Sequence, residues 1–295
     1  MSKKHPIIAV TGSSGAGTST VKDAFEHMFR REGITPAVIE GDSFHRYNRV
    51  EMKAKVASEE AAGNRRFSHF GANANEFEKL DQLFKDYGKT GTGKRRLYLH
   101  SDAEAEPYEG LEPGQFTPWQ DIPKGTDLMF YEGLHGSVKH EGIDMPSHVD
   151  LKIGVVPVIN LEWIQKIHRD TEQRGYSEEA VMDTILRRMN DYVRYIVPQF
   201  KHTDINFQRV ATVDTSDPII ARDIPTPDES MVVIRFRKPE NIPGGVDFPN
   251  LLRMIPHSFM SRRNTIVVPG GKMGFAMELI LTPILRQMMI DRNEA

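Results

Sequence analysis

The sequence of 295 residues contains no cysteine. That excludes disulfides, thiolate metal sites and thiol redox switching, and it suits a reducing, cytoplasmic setting. Net charge is nearly absent as well, at -3 near neutrality, so no general attraction to nucleic acid or a membrane surface is expected. No apolar run approaches the ~20 residues that span a bilayer. The first strand-like run begins about six residues from Met1, which leaves no room for a signal peptide. Internal repeats, low-complexity tracts and flexible linkers are also missing. One α/β domain over 1–295 is therefore expected, with an elaboration from about 204 to the end. Guanine-reading switches carry Asn-Lys-x-Asp after a strand, and no such string occurs. Hydrophobic content of 39% and charged content of 27% are those of an ordinary globular enzyme.

What is present begins at Gly12-Ser13-Ser14-Gly15-Ala16-Gly17-Thr18-Ser19-Thr20. A β-branched run, Pro6 to Thr11, precedes it. Val21, Phe25, Met28 and Phe29 follow at helical spacing, predicting a helix from Thr18 to Arg31 that stops at Gly33. Strand, glycine-rich turn and helix are the context of a phosphate-binding loop, where backbone N–H groups and the helix dipole face the anion. Gly12, Gly17 and Ser19 fit G-x-x-x-x-G-K-[ST], but Thr18 stands at the lysine position. Ser19 is the expected Mg²⁺ ligand.

A second strand, 37–40, runs into Asp42, with His45 and Arg49 behind it. Ligands collect beyond the carboxyl ends of parallel strands, which makes Asp42 a candidate base; a turn or helix-cap residue is the plainer reading. Residues 50–92 are mostly helical in pattern, with an apolar stripe at Phe77, Leu80, Leu83 and Phe84, and His69 and Asn73 to Asn75 interrupt it. Lys94-Arg95-Arg96 either contacts an anionic substrate or, more plainly, is a solvated edge. The stretch 127–135 reads as a buried strand with Glu132 at its exit, the Walker B position, and another strand is expected over 149–158.

The stretch 160–175 carries Lys166, His168, Arg169, Asp170 and Arg174. It is either a charged helix face or a kinase lid that closes cations over a transferring phosphate. A helix follows with Met182, Ile185, Leu186, Met189, Val193 and Ile196 as its expected buried stripe. Its Arg187 is able to pair with Asp191 at i,i+4. Strands are expected over 204–215, 231–237 and 265–268, then an amphipathic terminal helix from Met273 to Met289. Together these parts suggest phosphoryl transfer from MgATP, with Glu132 or Asp170 completing the metal shell. The surplus of cations points to an acceptor that is itself a phosphate ester.

Five strings carry a family resemblance: Gly12 to Thr20, Glu-Gly-Asp-Ser-Phe-His from Glu40, Phe-Tyr-Glu-Gly-Leu-His-Gly from Phe130, Val155 to Asp170, and Ile-Leu-Arg-Arg-Met from Ile185. The chain resembles the bacterial-type phosphoribulokinases, relatives of uridine and pantothenate kinases. The resemblance implies a P-loop kinase fold of the nucleoside-monophosphate-kinase kind, a mostly parallel sheet flanked by helices with a C-terminal β/α elaboration. It implies ATP-dependent phosphorylation of D-ribulose 5-phosphate at the C1 hydroxyl, giving ribulose 1,5-bisphosphate for carbon fixation. By motif, Asp42 is the base. His45, Arg49 and Arg174 fall at the sugar phosphate, and Arg169 and Asp170 at the catalytic lid. Lys166 falls at a lid lysine able to supply the charge that Thr18 lacks. Arg187 and Arg188 match a basic pair near the nucleotide. The resemblance also implies an octamer activated by NADH and inhibited by AMP. With no further G-x-G-x-x-G after a strand, an NADH site between subunits would use scattered cations, with Arg31, Arg235 and Arg262 as candidates. A uridine or pantothenate kinase, or a non-catalytic nucleotide-binding regulator, are the competing readings.

Overall fold

The computed structural model describes residues 4–13, 18–221 and 223–295, with the backbone alone described for Thr18, Ser19, Thr20 and Gln173. The first half of the chain contributes β1 (Ile7–Gly12), α1 (Thr18–Glu32), β2 (Pro36–Glu40), α2 (Arg49–Ala61) and α3 (Phe77–Thr90). After α3 come β3 (Lys94–Arg95), a one-turn α4 (Asp102–Ala105), β4 (Gln120–Asp121) and β5 (Leu128–Gly133). Two short strands, β6 (Lys139–His140) and β7 (Ile143–Asp144), precede β8 (Leu151–Val155), α5 (Ile159–His168) and α6 (Glu178–Asp191). The last third holds β9 (Ile205–Ala211), β10 (Ser230–Phe236), α7 (Phe248–Met254), β11 (Phe259–Arg262), β12 (Thr265–Pro269) and α8 (Met273–Asn293).

Eight strands form one sheet in the order β11-β12-β10-β9-β8-β1-β5-β2. From β2 to β9 neighbours are parallel, and from β9 to β11 they are antiparallel. Sequence and burial agree on why. Every residue of β1 is buried, as expected of a parallel strand covered on both faces. Ile8 and Val10 face a core shared with α1 and α8, while Ile7 and Ala9 face a second core shared with α3. In β10, Val232, Ile234 and Phe236 are buried and Arg235 between them is exposed, the alternation of a sheet with one open face.

Several boundaries differ from the pattern-based expectation. The strand expected over 149–158 is only Leu151–Val155, and Phe259–Arg262 is a strand the pattern did not show. α8 is long and apolar enough, by length and composition, to cross a membrane. Its Ala276, Met277, Ile280, Leu281, Ile284, Leu285 and Met288 instead pack in the core with Phe25 and Met28 of α1. The expected stripe is wrong at Leu186 in α6 and at Val193 in the turn just past it, both of which are exposed. The inward positions are Val181, Ile185, Arg188 and Tyr192, spaced four, three and four. An arginine takes the place expected for a leucine, and a widened π-helical turn at Tyr192–Ile196 then shifts the register.

The carboxyl ends of β2 and β5 meet at two glycines. A Cβ on Gly41 would lie 2.9 Å from the Gly133 Cα and 2.6 Å from the Tyr131 hydroxyl; one on Gly133 would lie 2.7 Å from the Gly41 Cα. Only glycine permits this approach, and it seats the turn that follows β2.

Candidate active site

That turn, Gly41–Phe44, is a single 3₁₀ turn with Ser43 and Phe44 buried beneath it. Asp42 stands at its start, with its side chain 44% exposed at the carboxyl end of β2. His45 Nε2 lies 3.3 Å from Asp42 Oδ1, and His45 Nδ1 lies 2.8 Å from Asn75 Oδ1. Burial pushes the Asp42 carboxyl up, but the His45 hydrogen bond and the charges of His45, His100 and His69 outweigh it and hold it well below the carboxylate range. Burial also works against a charged His45, and Asp42 and Asn75 overcome it, so His45 titrates above an ordinary histidine. His69, with its ring centroid 5.4 Å from that of His45, is pushed well down by burial and by Arg188.

The underside of the turn is braced by Arg96. Its guanidinium donates to the Ser43 carbonyl at 2.8 Å and the His45 carbonyl at 2.6 Å, and packs 3.7 Å from the Phe116 ring centroid. Arg95 donates to the Val38 carbonyl. The run expected to be a solvated edge thus fastens the turn that bears Asp42.

Arg49 opens α2, where the Asn48 side chain accepts from the Val50 and Glu51 N–H groups and Glu51 accepts in return from the Asn48 N–H. Its guanidinium is exposed and lies 3.4 Å from the His100 carbonyl. His45 is 9% exposed, with one ring nitrogen against Asp42 and the other against Asn75.

On the facing side, Glu162, Lys166 and Asp170 recur every four residues along α5 and its widened last turn, and all three are buried. Asp170 Oδ2 accepts from Lys166; Oδ1 lies 3.0 Å from Arg169 Nε and 3.2 Å from Arg174 Nη1. With both oxygens held by cations, Asp170 is a counter-ion of the lid. Arg174 is among the cations turned to it. Burial and the nearby Arg188 pull Lys166 down to about 8 against the support of Asp170. Glu162 joins the two halves. Its Oε1 accepts from Ser13 Oγ at 2.5 Å and its Oε2 from the Tyr192 hydroxyl at 3.3 Å.

The two adjacent arginines of α6 separate, as successive helix positions must. Arg187 pairs with Asp183 on its own helix, not with Asp191, whose Oδ2 accepts from Ser68 Oγ. Arg188 points inward, 5.2 Å from the Phe70 ring centroid, and its charge is felt at His45, His69, Glu162 and Lys166.

β1 ends at Gly12 and α1 opens at Thr18; Ser14, Gly15, Ala16 and Gly17 lie outside the described residues, as do the side chains of Thr18, Ser19 and Thr20. Glu132 pairs in register with Val10 on one side and Glu40 on the other, at the strand ends beside the loop. Among the described residues no three His, Cys, Asp or Glu side chains form a metal cluster. A strand-end carboxylate such as Glu132 is a suitable donor for Mg²⁺, which keeps water and phosphate oxygens and takes few protein ligands. Sequence reasoning missed Lys22, 2.7 Å from Glu40 and one helical turn beyond Thr18.

Of the scattered arginines, Arg235 and Arg262 both pair with Thr265 and so share the open face of the sheet. Arg31 lies on α1, on the other face, donating to Glu278 and to the Thr282 hydroxyl at 2.7 Å. A single chain does not bring the three together.

Residues 7–216 match the model of the phosphoribulokinase/uridine kinase family. The chain is 61% identical over 295 residues to a chromosomal phosphoribulokinase of Cupriavidus necator, covering all of this chain and 99% of the relative. It is 60% identical over the full length of both chains to a phosphoribulokinase of Nitrobacter vulgaris. The solved phosphoribulokinase from Rhodobacter spheroides superposes with a TM-score of 0.90 at 56% identity, covering 99% of this chain and all of that one. With the mostly parallel sheet and the strand-end carboxylates in place, these matches make the chain a member of the phosphoribulokinase/uridine kinase family.

Proposed function

We propose that the chain transfers the γ-phosphoryl group of ATP to the C1 hydroxyl of D-ribulose 5-phosphate, giving ribulose 1,5-bisphosphate and ADP. The reading is carried by end-to-end identity of about 60% with proteins named phosphoribulokinase. It puts the reaction in carbon fixation by the Calvin cycle.

The residues act as follows. Asp42 takes the proton of the C1 hydroxyl as its oxygen attacks the γ-phosphorus and the bond to the β-phosphate oxygen breaks. Such a base contributes ~10²–10⁴-fold. Lys166 and Arg169, brought over the phosphates by α5 and held by Asp170, compensate the charge that spreads over the moving group. Loop N–H groups from Gly12 onward and the first turn of α1 hold the nucleotide phosphates, with Arg188 beneath. Ser19 and Glu132 would hold Mg²⁺, which supplies charge neutralisation on the phosphate oxygens when bound. Arg49 and Arg174 bind the 5-phosphate.

The same reading includes one kinase domain over 1–295, a homo-octamer in the cytoplasm, activation by NADH and inhibition by AMP. Arg235 and Arg262 on the open sheet face, with Arg31 from another subunit, are the candidates for the effector site.

A coupled ADP-release assay across ribulose 5-phosphate, uridine and pantothenate tests the acceptor. Turnover confined to ribulose 5-phosphate is expected; equal turnover with uridine overturns the reading. Nucleotide binding without ATP consumption would point to a regulator.

A further inference from the structure

Asn75 lies between α2 and α3, outside every string that carries the family resemblance, and it is 2% exposed. Its Nδ2 donates to the His69 carbonyl at 2.8 Å and the Gly71 carbonyl at 2.7 Å. Carbonyl oxygens only accept. Reversing the amide would set its oxygen against both of them, so Oδ1 faces His45 Nδ1 at 2.8 Å. Oδ1 carries no hydrogen, and the proton of that bond is therefore on Nδ1.

This fixes the other end of the ring. A neutral imidazole has one N–H; with Nδ1 holding it, Nε2 would be a bare lone pair 3.3 Å from Asp42 Oδ1. Two lone pairs facing each other repel, so a second proton lies on this axis. An imidazole is more basic than a carboxylate by about 2.6 pH units in the ordinary state. The proton therefore sits on Nε2. The other groups that face the pair are His69 from the Asn75 segment, His100 from the segment after β3, Arg188 from α6 and, near His69, Lys166 from α5. The cations among them oppose an imidazolium, but Asp42 is in direct contact.

We propose that Asn75 is a positioning residue: by fixing the ring of His45 it keeps that ring cationic, pins Asp42 through Oδ1 and leaves Oδ2 to receive the substrate proton. This rests on Asp42 being the base. In the step, the substrate O–H bond breaks, an Asp42 Oδ2–H bond forms, and His45 keeps both of its protons. The pair moves from neutral to singly positive as the acceptor oxygen gains its phosphoryl group.

The test is ring-¹⁵N NMR of histidine-labelled full-length protein, with His45 assigned by its absence in His45→Gln. At a pH just above the ordinary histidine value of about 6.5, both His45 nitrogens are expected to show protonated shifts. A bare nitrogen in the unmutated chain overturns the proposal. Asn75→Leu, which removes the acceptor, is expected to leave Nδ1 bare. It should also lower kcat about 10- to 100-fold, the scale of a displaced catalytic group, with both KM values within about twofold. Asn75→Gln, which keeps both an accepting oxygen and a donating amide, should recover the doubly protonated ring and part of kcat. Equal losses in the two variants with the ring still doubly protonated overturn it. If Asn75→Leu does not fold, the spectrum of the unmutated chain still decides. A doubly protonated His45 in a chain that fails to phosphorylate ribulose 5-phosphate supports the ring assignment and overturns the functional reading alone.

Discussion

Asp170 and Asp42 are both carboxylates set among basic groups, and the chain assembles the two sites in different ways. Asp170 draws its partners from its own stretch: Lys166 four residues before, Arg169 beside it and Arg174 four residues after. Asp42 has His45 nearby, but the parts that hold its turn come from afar, Asn75 at 30 residues from His45 and Arg96 at 53 from Ser43. The side chain of Asp170 is 6% exposed and closed in by three cations, whereas that of Asp42 is 44% exposed. A buried carboxylate with that many partners organises charge; a carboxylate held by one edge is open to react. The lid is thus a local device of helix spacing, and the base turn is a tertiary one.

The comparison is broken or sharpened most by Asp42→Asn. It should lower kcat by about 10²–10⁴-fold with little change in either KM; a loss below about tenfold would move the base elsewhere. Next is Lys166→Met, expected to lower kcat by about 10²-fold, or about 2.7 kcal/mol of transition-state stabilisation. A nearly silent result would end the idea that the lid supplies the charge missing at Thr18. Lys166 also sets a pH dependence. Its folded value is lowered to about 8, so the charge is present below that pH and lost above it. The kcat/KM profile should fall on its alkaline side near there, and Lys166→Arg should remove that limb. Arg49→Ala is smaller, an increase of about tenfold in KM for the sugar phosphate, or about 1.4 kcal/mol. An unchanged KM would refute the contact. Thr18→Lys should change kcat by less than about twofold, because the position is not the source of the charge.

The same contrast explains what could be read from the sequence. β1 and α1 were legible because a β-branched run and a helical spacing flank the glycine-rich string, whose Ser14 to Gly17 lie outside the described residues, and Gly33 closes α1 with φ +67° as expected. Glu132 was legible as the last polar residue of an apolar strand. The four-residue spacing of Glu162, Lys166 and Asp170 was present too, but charged residues at that interval also describe a solvated face, and only burial separates the two. Leu186 and Arg188 exchanged their expected places because an inward arginine, balanced by Asp170 and Glu162, is invisible to a hydrophobic pattern. Asn75 and Arg96 carried no local signal beyond interrupting a helix and belonging to a basic run, since their partners are fixed only when distant segments meet.

The contact between Gly41 and Gly133 has a bearing on how this sequence is able to vary. Each glycine is excluded from change by the backbone of the other, and trimming the Tyr131 hydroxyl, which a Cβ on either glycine would also meet, cannot compensate, because the opposing Cα stays in place. Two positions 92 residues apart thus act as one unit of heredity, a single close approach written once after Glu40 and again after Glu132. Variation in the chain has to flow around that point. Random mutagenesis with selection for activity should therefore recover almost no survivors at either glycine, singly or in pairs, while the exposed neighbours of both strands remain free to drift.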